Sequence, residues 1–393
     1  MRVVIMGSQA RSMANFWPTL IRLLHSSGHQ VFCFVPQSSD AADARAVERM
    51  QAWGARVVPL PLKRRGLNPF YDALTLACTW RALKTICPDV FFGYAIKPVI
   101  YGSIAARLAG VPGRYAMITG LGYTFEADSL PKKLLTFAAS SLYRFSLRFC
   151  RAVFFQNSDD LAHFQALKII PSPPATEAPA RQQTRPLTGL IRGTGVDIEH
   201  FVPAPPISSP PVFLLIGRVI EAKGVREFAA AAAALRRKYP EACFQILGPL
   251  ENGPGSISPE ELKAWQEEGS IQYLGATDDV RPYIASAGVL VLPSYREGLP
   301  VSIMEGMSMG RPAVVADAPG SRDLVQEGVN GFLVPVRDAA ALAAGMEKFI
   351  VRPELVTVMG ESARRLAETQ YDSRLVAADL IERIGLAKTP ADD

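Results

Sequence analysis

Apolar runs alternate with helical patterns along the whole chain. That rhythm restricts the fold to an α/β protein with parallel sheets, because successive parallel strands need a crossover helix between them. In the first half the strand patterns are RVVIM (2–6), QVFCFV (30–35), ARVVPL (55–60), DVFFGY (89–94), RYAMI (114–118) and AVFFQ (152–156). In the second half they are VFLLIG (212–217), CFQILG (243–248), IQYLG (271–275), GVLVLP (288–293), PAVVAD (312–317) and GFLVP (331–335). A doubly wound, Rossmann-like sheet is therefore expected twice.

A chain of 393 residues also exceeds the usual size of a single core, so two domains are the default expectation. Between the two sheets lies PSPPATEAPARQQTRP (171–186), rich in Pro and without apolar periodicity, which reads as a mobile surface loop. LTGLI (187–191) completes the first sheet. The expected organisation is a first domain over 1–195, a linker over 196–210, a second domain over 211–370, and a C-terminal helix in 371–393 packing back on the first domain. Ligands of open α/β sheets bind beyond the carboxyl ends of the strands. The cleft between two such domains is the natural site.

The net charge of +5 hides a split. Residues 1–190 hold 22 Lys and Arg against 10 Asp and Glu, a net of +12, whereas residues 191–393 hold 20 against 27, a net of −7. A basic half implies an anionic partner, whether nucleic acid, a membrane surface or a phosphorylated acceptor, with a plain solubility asymmetry as the alternative. No run of eighteen apolar residues occurs and the N-terminus runs straight into a strand pattern, so neither a transmembrane helix nor a secretory signal is expected. The five cysteines lack a C-x-x-C pair and read as reduced core residues of a cytoplasmic protein.

Two glutamates, Glu297 and Glu305, bracket EGLPVSIME. The first sits on a loop after GVLVLP and the second one to two turns into the following helix. Free backbone N–H groups at Val301 and Ser302, with the positive end of the helix dipole, would attract a phosphate, while the carboxylates accept from hydroxyls. Phosphate plus hydroxyls describes a sugar nucleotide; a capping Glu297 and a solvated Glu305 are the bland alternative. GRVIEAKG (217–224) places Arg218 and Lys223 at the end of another strand, where two cations can hold a diphosphate and stabilise the charge that grows as it leaves.

In the first half, Gly7 in GSQARS permits close approach of the backbone to a ligand or to the other domain. The turn TGLGYTF (119–125) is a second such candidate, with a purely structural turn as the alternative, and YAIKP places Tyr94 and Lys97 at a carboxyl edge. Lys97 has two readings, an acceptor-phosphate contact and a solvated side chain. PKKLLTFAASSLYRFSLRFCR (131–151) reads as a basic amphipathic helix carrying Lys132, Lys133, Arg144, Arg148 and Arg151, suited either to an anionic membrane surface, with the basic turn at 63–65 adding to it, or to ordinary packing on the sheet. No dinucleotide G-x-G-x-x-G fingerprint, G-x-S-x-G elbow, Walker loop or His/Cys metal spacing is present.

GRVIEAKG, YLGATDDV, the block EGLPVSIMEGMSMGRPAVVADAPGSRDLV and EGVNGFLVP together resemble the C-terminal donor domain of the retaining glycosyltransferases of family four, which have the two-Rossmann GT-B fold. GSQARSMANF, YAIKPVIYGSIAARLAGVP and TGLGYTF are similar to the subgroup that extends sugars on an undecaprenyl diphosphate carrier. The resemblance implies that Arg218 and Lys223 bind the donor diphosphate, Glu297 contacts the donor sugar and Glu305 the ribose. Gly217, Gly298, Leu299, Pro300 and Val301 would line the donor, residues around Ala276 would cover the base, and Gly7 would close over the diphosphate. Tyr94, Lys97, Thr119 and Gly120 would face the acceptor; Thr119 and its glycines stand where many relatives carry a histidine. It further implies a UDP-sugar donor, front-side displacement with retention, no metal or other cofactor, a lipid-diphosphate-linked saccharide acceptor, no nucleic-acid partner, and peripheral placement on the cytoplasmic face of the membrane. A soluble-acceptor or lipopolysaccharide glycosyltransferase is the alternative, followed by an epimerase or non-catalytic protein of the same fold.

Overall fold

The computed structural model describes residues 1–63, 66, 68–121, 130–171, 186–205, 211–251, 253 and 255–387. The chain divides into two compact units, Met1–Thr194 with Ser373–Asp393, and Gly195–Asp372.

The first unit is built on seven strands: β1 (Arg2–Met6), β2 (Gln30–Pro36), β3 (Arg56–Leu60), β4 (Val90–Tyr94), β5 (Gly113–Ile118), β6 (Ala152–Phe155) and β7 (Leu187–Leu190). They pair in parallel in the order β3-β2-β1-β4-β5-β6-β7, with β1 flanked by β2 and β4. Val3, Val4, Ile5 and Met6 are all inaccessible to solvent, so side chains on both faces of β1 are covered. The connecting helices start where the sequence caps them. Asp40 accepts from Ala42 N–H ahead of Ala41–Ala52, and Asn68 accepts from Phe70 and Tyr71 N–H ahead of Pro69–Ile86, whose proline fills the first helical position. After the second unit the chain returns as the helix Ser373–Arg383, which lays Val376, Ala377, Leu380 and Ile381 into the core with Leu20, Ile21 and Leu24.

The second unit carries β8 (Val212–Ile216), β9 (Cys243–Leu247), β10 (Gln272–Tyr273), β11 (Val289–Leu292), β12 (Ala313–Ala316) and β13 (Gly331–Val334). They are parallel in the order β10-β9-β8-β11-β12-β13. In both sheets the strand order reverses beside the first strand, between β1 and β4 and between β8 and β11. Those are the topological switch points where such sheets open for a ligand.

Residues 196–205 of the expected linker are held to the second unit. Arg311 is buried and donates to the carbonyls of Ala204, Pro205, Ile284 and Ala285, while Arg364 donates to those of Ile198, Phe201 and Ser308. A buried guanidinium needs this full set of acceptors, so the segment they come from is fixed with it. The rest of the linker, 206–210, most of the expected mobile loop, 172–185, and the C-terminal stretch 388–393 lie outside the described residues, as do two residues of the basic turn, Arg64 and Arg65. Among the described residues no helix is long and apolar enough to cross a membrane.

Candidate functional site

The loops at the carboxyl ends of β8 and β11 bring the main sequence-predicted residues of the second unit together. Lys223 Nζ donates to Glu297 Oε1, and both side chains are largely covered, with 17% and 14% exposure. A cation and a carboxylate this far out of water hold one another in place. Arg218 is more open and reaches Glu251 Oε2 at 3.3 Å from Nη1. Each cation expected on the diphosphate thus has a carboxylate neighbour in the unliganded protein.

The backbone around the pair is pressed together at two glycines. Gly224, at φ +69°, caps the helix Val225–Lys238, and a Cβ there would fall 2.2 Å from Pro293 O in the loop after β11. Gly320, at φ +79° in the loop after β12, would put a Cβ 2.5 Å from Gly298 O and 2.6 Å from Glu297 O. Glu297 N–H donates to Pro319 O at 2.9 Å and Tyr295 N–H to Ala222 O at 3.0 Å. The Glu297 loop is therefore clamped between the Lys223 turn and the Gly320 turn, and only residues without a Cβ allow it that close.

Pro300 begins the helix Val301–Ser308 without any side-chain cap. Ile303 and Met304 N–H already turn toward Pro300 O, at 3.2 and 3.4 Å, leaving the Val301 and Ser302 N–H groups at the open end of the ladder. Leu299 is buried in the core and anchors the turn. One turn further on, the Glu305 side chain is half-buried among the buried residues Met304 and Gly306. Burial, and secondarily the charge of Asp279, push its pKa up to about 8. Asp279 is itself held by Arg281 through contacts of 2.8 Å on each carboxylate oxygen. Another close glycine approach lies beside Arg218, where a Cβ on Gly248 would fall 1.8 Å from Gly217 O. Gly217 N–H donates to Leu247 O, and Gly248 N–H to Gly275 O beside Ala276.

Sequence reasoning named neither clamping glycine, although Gly224 ends the GRVIEAKG motif and Gly320 follows a proline after β12. Glu251 carried no signal, and Asp279 was quoted only within YLGATDDV without a role, because nothing local marks a loop acid as the neighbour of a residue on another strand's loop.

In the first unit the expected acceptor residues sit at the carboxyl ends of β4 and β5, with Gly7 at the end of β1; Tyr94 is buried and Lys97 is paired with a carboxylate. Tyr94 is 4% exposed, packs on Trp17 at 5.5 Å between centroids, and brings its hydroxyl beneath Gly7, whose Cβ would fall 2.3 Å from it. That contact accounts for the glycine at position 7, and burial raises the Tyr94 hydroxyl well above its usual pKa. Lys97 is ion-paired rather than solvated: Nζ lies 2.7 Å from Asp72 Oδ1, and Tyr101 Oη donates to Asp72 Oδ2 at 2.9 Å. Thr119 and Gly120 close β5, with Gly120 at φ +105°, and 122–125 of the same turn lie outside the described residues. Among the described residues no three His, Cys, Asp or Glu side chains gather as a metal site.

Two parallel switch-point sheets, one ending in a paired Lys–Glu, an uncapped helix start and a half-buried carboxyl, define a GT-B architecture. Residues 210–351 match the family model "Glycosyl transferases group 1" and residues 13–179 match "Glycosyl transferase 4-like domain". The chain belongs to the family-four glycosyltransferases.

Over its whole length it is similar to the N,N'-diacetylbacillosaminyl-diphospho-undecaprenol alpha-1,3-N-acetylgalactosaminyltransferase of Campylobacter jejuni, 25% identical and covering 96% of each chain. It is also similar to the UDP-Gal:alpha-D-GlcNAc-diphosphoundecaprenol alpha-1,3-galactosyltransferase of Escherichia coli, 25% identical over 78% of this chain and 77% of that one. Among solved structures, HepE of Anabaena in complex with UDP and glucose superposes with a TM-score of 0.75 at 16% identity, covering 98% of this chain and all of that one.

Proposed function

We propose that the protein is a retaining hexosyl- or N-acetylhexosaminyltransferase that takes a UDP-sugar and extends a polyprenyl-diphosphate-linked saccharide at the cytoplasmic membrane surface. The observation that carries the donor half is the Lys223–Glu297 pair beside the open helix start of Val301–Ser308. The acceptor half rests on the Campylobacter and Escherichia relatives, whose names specify diphospho-undecaprenol acceptors and, for the second, UDP-galactose.

In the resting protein Glu297 neutralises Lys223. An arriving diphosphate competes for the ammonium with a higher charge, so Lys223 swings to it and Glu297 is released to accept from sugar hydroxyls. The Val301 and Ser302 N–H groups and Arg218 take the remaining phosphate oxygens. Glu305, one turn deeper, accepts from the ribose hydroxyls, which favours its ionised form. As the glycosidic bond breaks, negative charge grows on the leaving diphosphate, and Lys223 and Arg218 stabilise it more than they stabilise the ground state. The same phosphate oxygens face the incoming hydroxyl and accept its proton, giving retention without a metal ion.

A panel of sugar nucleotides assayed against a detergent-solubilised polyprenyl-diphosphate saccharide, with mass spectrometry and anomeric NMR of the product, tests the reading. One added hexose or N-acetylhexosamine with the donor's configuration is expected, with the metal chelated. Transfer only to lipid-free or lipopolysaccharide acceptors would favour the alternative assignment.

A further inference from the structure

Tyr295 lies in the loop after β11 and is tied at both ends to the segment that carries Lys223. Its backbone N–H donates to Ala222 O at 3.0 Å, inside the turn Glu221–Lys223. Its hydroxyl donates to Glu227 Oε1 at 2.7 Å, in the first turn of the helix Val225–Lys238. Burial, and then the Glu227 carboxylate, push the Tyr295 hydroxyl up to about 12, so it remains a donor across the neutral range. From the loop after β13, Arg337 lays its guanidinium over the Tyr295 ring at 4.4 Å. It does so from a left-handed backbone, φ +61°, a strained position for a residue other than glycine.

The seam between loop and helix is not built for stability alone. Glu227 Oε2 is shut away from water with no hydrogen-bond partner among the described residues, and so is Ser294 Oγ, one residue before Tyr295. Buried polar atoms left unmet are costly, so a seam that keeps two of them answers a requirement besides packing. The Tyr295–Glu227 link fixes the separation of the two charges of the donor site: Lys223 stands four residues before Glu227, and Glu297 two residues after Tyr295. In the resting protein the Lys223–Glu297 ion pair bridges the same turn and loop. A diphosphate that draws Lys223 away removes that bridge, and the two Tyr295 hydrogen bonds remain behind it.

We propose that Tyr295 and Glu227 are positioning residues for the transfer step: their hydrogen bond holds the Glu297 loop against the Lys223 turn while a diphosphate opens the Lys223–Glu297 pair. Only the two charged side chains then move, and Glu297 stays in register with the donor sugar. The inference rests on the donor-site reading of the proposed function. Neither residue touches substrate in it; both act through the spacing of Lys223 and Glu297.

The test uses the full-length protein, UDP, and the sugar nucleotide and detergent-solubilised acceptor of the transfer assay. Tyr295→Phe removes the hydroxyl and leaves the ring under Arg337. Its kcat should fall about tenfold or more, as a small misplacement of reacting groups allows. Donor KM and UDP Kd should stay within about threefold, because Leu299 and the helix start it anchors are untouched. Glu227→Gln keeps an oxygen for the Tyr295 hydroxyl and should hold kcat within about threefold of native. Glu227→Ala should match Tyr295→Phe, and the two combined should cost no more than either alone. Tyr239→Phe removes a like bond, to Glu347 Oε1 at 2.8 Å, at the other end of the same helix, and should cost stability without turnover. Native-like kcat in Tyr295→Phe, additive losses in the double variant, or an equal loss of kcat in Tyr239→Phe would overturn the proposal. A second readout needs no transfer: with UDP, hydrogen exchange over 221–227 and 293–299 should not rise in the native chain and should rise in Tyr295→Phe, where the opened ion pair has no support behind it. Exchange that UDP leaves unchanged in that variant would overturn the proposal as well. Absence of transfer by the native chain would instead count against the proposed function alone.

Discussion

Replacing Glu305 with glutamine should make the unliganded protein more stable and the donor site worse. Burial raises the carboxyl from an ordinary 4.5 to about 8. Below pH 4.5 the folded and unfolded chains both hold this proton, and the side chain leaves stability unaffected. Between 4.5 and 8 the folded chain keeps a proton that the unfolded chain has released, so stability falls as pH rises, and above 8 the whole penalty is in place. At about 1.4 kcal/mol per pH unit the penalty is on the order of 5 kcal/mol. The neutral amide escapes it. The stability gap between Glu305→Gln and the native chain should be under about 1 kcal/mol at pH 5 and widen to about 5 kcal/mol at pH 9, measured by urea denaturation of the unliganded protein across that range. UDP affinity should move the other way. Losing hydrogen bonds to a charged acceptor is worth about 1.5–3 kcal/mol, or roughly a ten- to hundredfold rise in Kd. A gap that stays constant from pH 5 to 9 would refute the reasoning, because it would mean that Glu305 is ionised in the resting protein and not held back for a ligand.

The clamp and the cations give sharper local outcomes. Arg218→Ala should lower kcat by about a hundredfold, the order expected on removing one group that stabilises developing charge, with little change in stability because the side chain is 40% exposed; an unchanged rate would remove Arg218 from the site. Gly320→Ala forces a Cβ against the carbonyls of Glu297 and Gly298 at a left-handed backbone position, so it should weaken UDP binding and lower Tm together. If Tm falls but UDP binding survives, the clamp is structural only. Salt should weaken vesicle binding of the native protein, since exposed charge attraction is screened within about 10 Å at 0.1 M; salt-insensitive binding would point to apolar insertion alone.

Much of the fold was legible because a buried parallel strand has to be apolar on both faces, which leaves runs such as VVIM and VLVL standing out against the helices. All twelve strand patterns have a counterpart, and LTGLI supplies the seventh strand of the first sheet. The second-unit site was legible in part for a related reason. Motifs at strand ends converge once strand order is known, so Lys223 and Glu297, far apart in sequence, meet at the switch point. What was not legible is pairing. Lys97 looked available because its partner Asp72 comes from a helix two elements earlier, and Tyr94 looked like a rim residue because nothing local shows that Trp17 covers it. The paired state of Lys223 was hidden in the same way: the sequence places both charges at one edge, and only the clamped loop geometry shows that they neutralise each other.

The most direct test of the donor site is a crystal structure of the protein with UDP bound. The account predicts the diphosphate within hydrogen-bonding reach of the Val301 and Ser302 N–H groups and of Lys223, the Lys223–Glu297 pair opened, and the ribose hydroxyls on Glu305. A nucleotide bound elsewhere, or bound here with Lys223 still on Glu297, would contradict it.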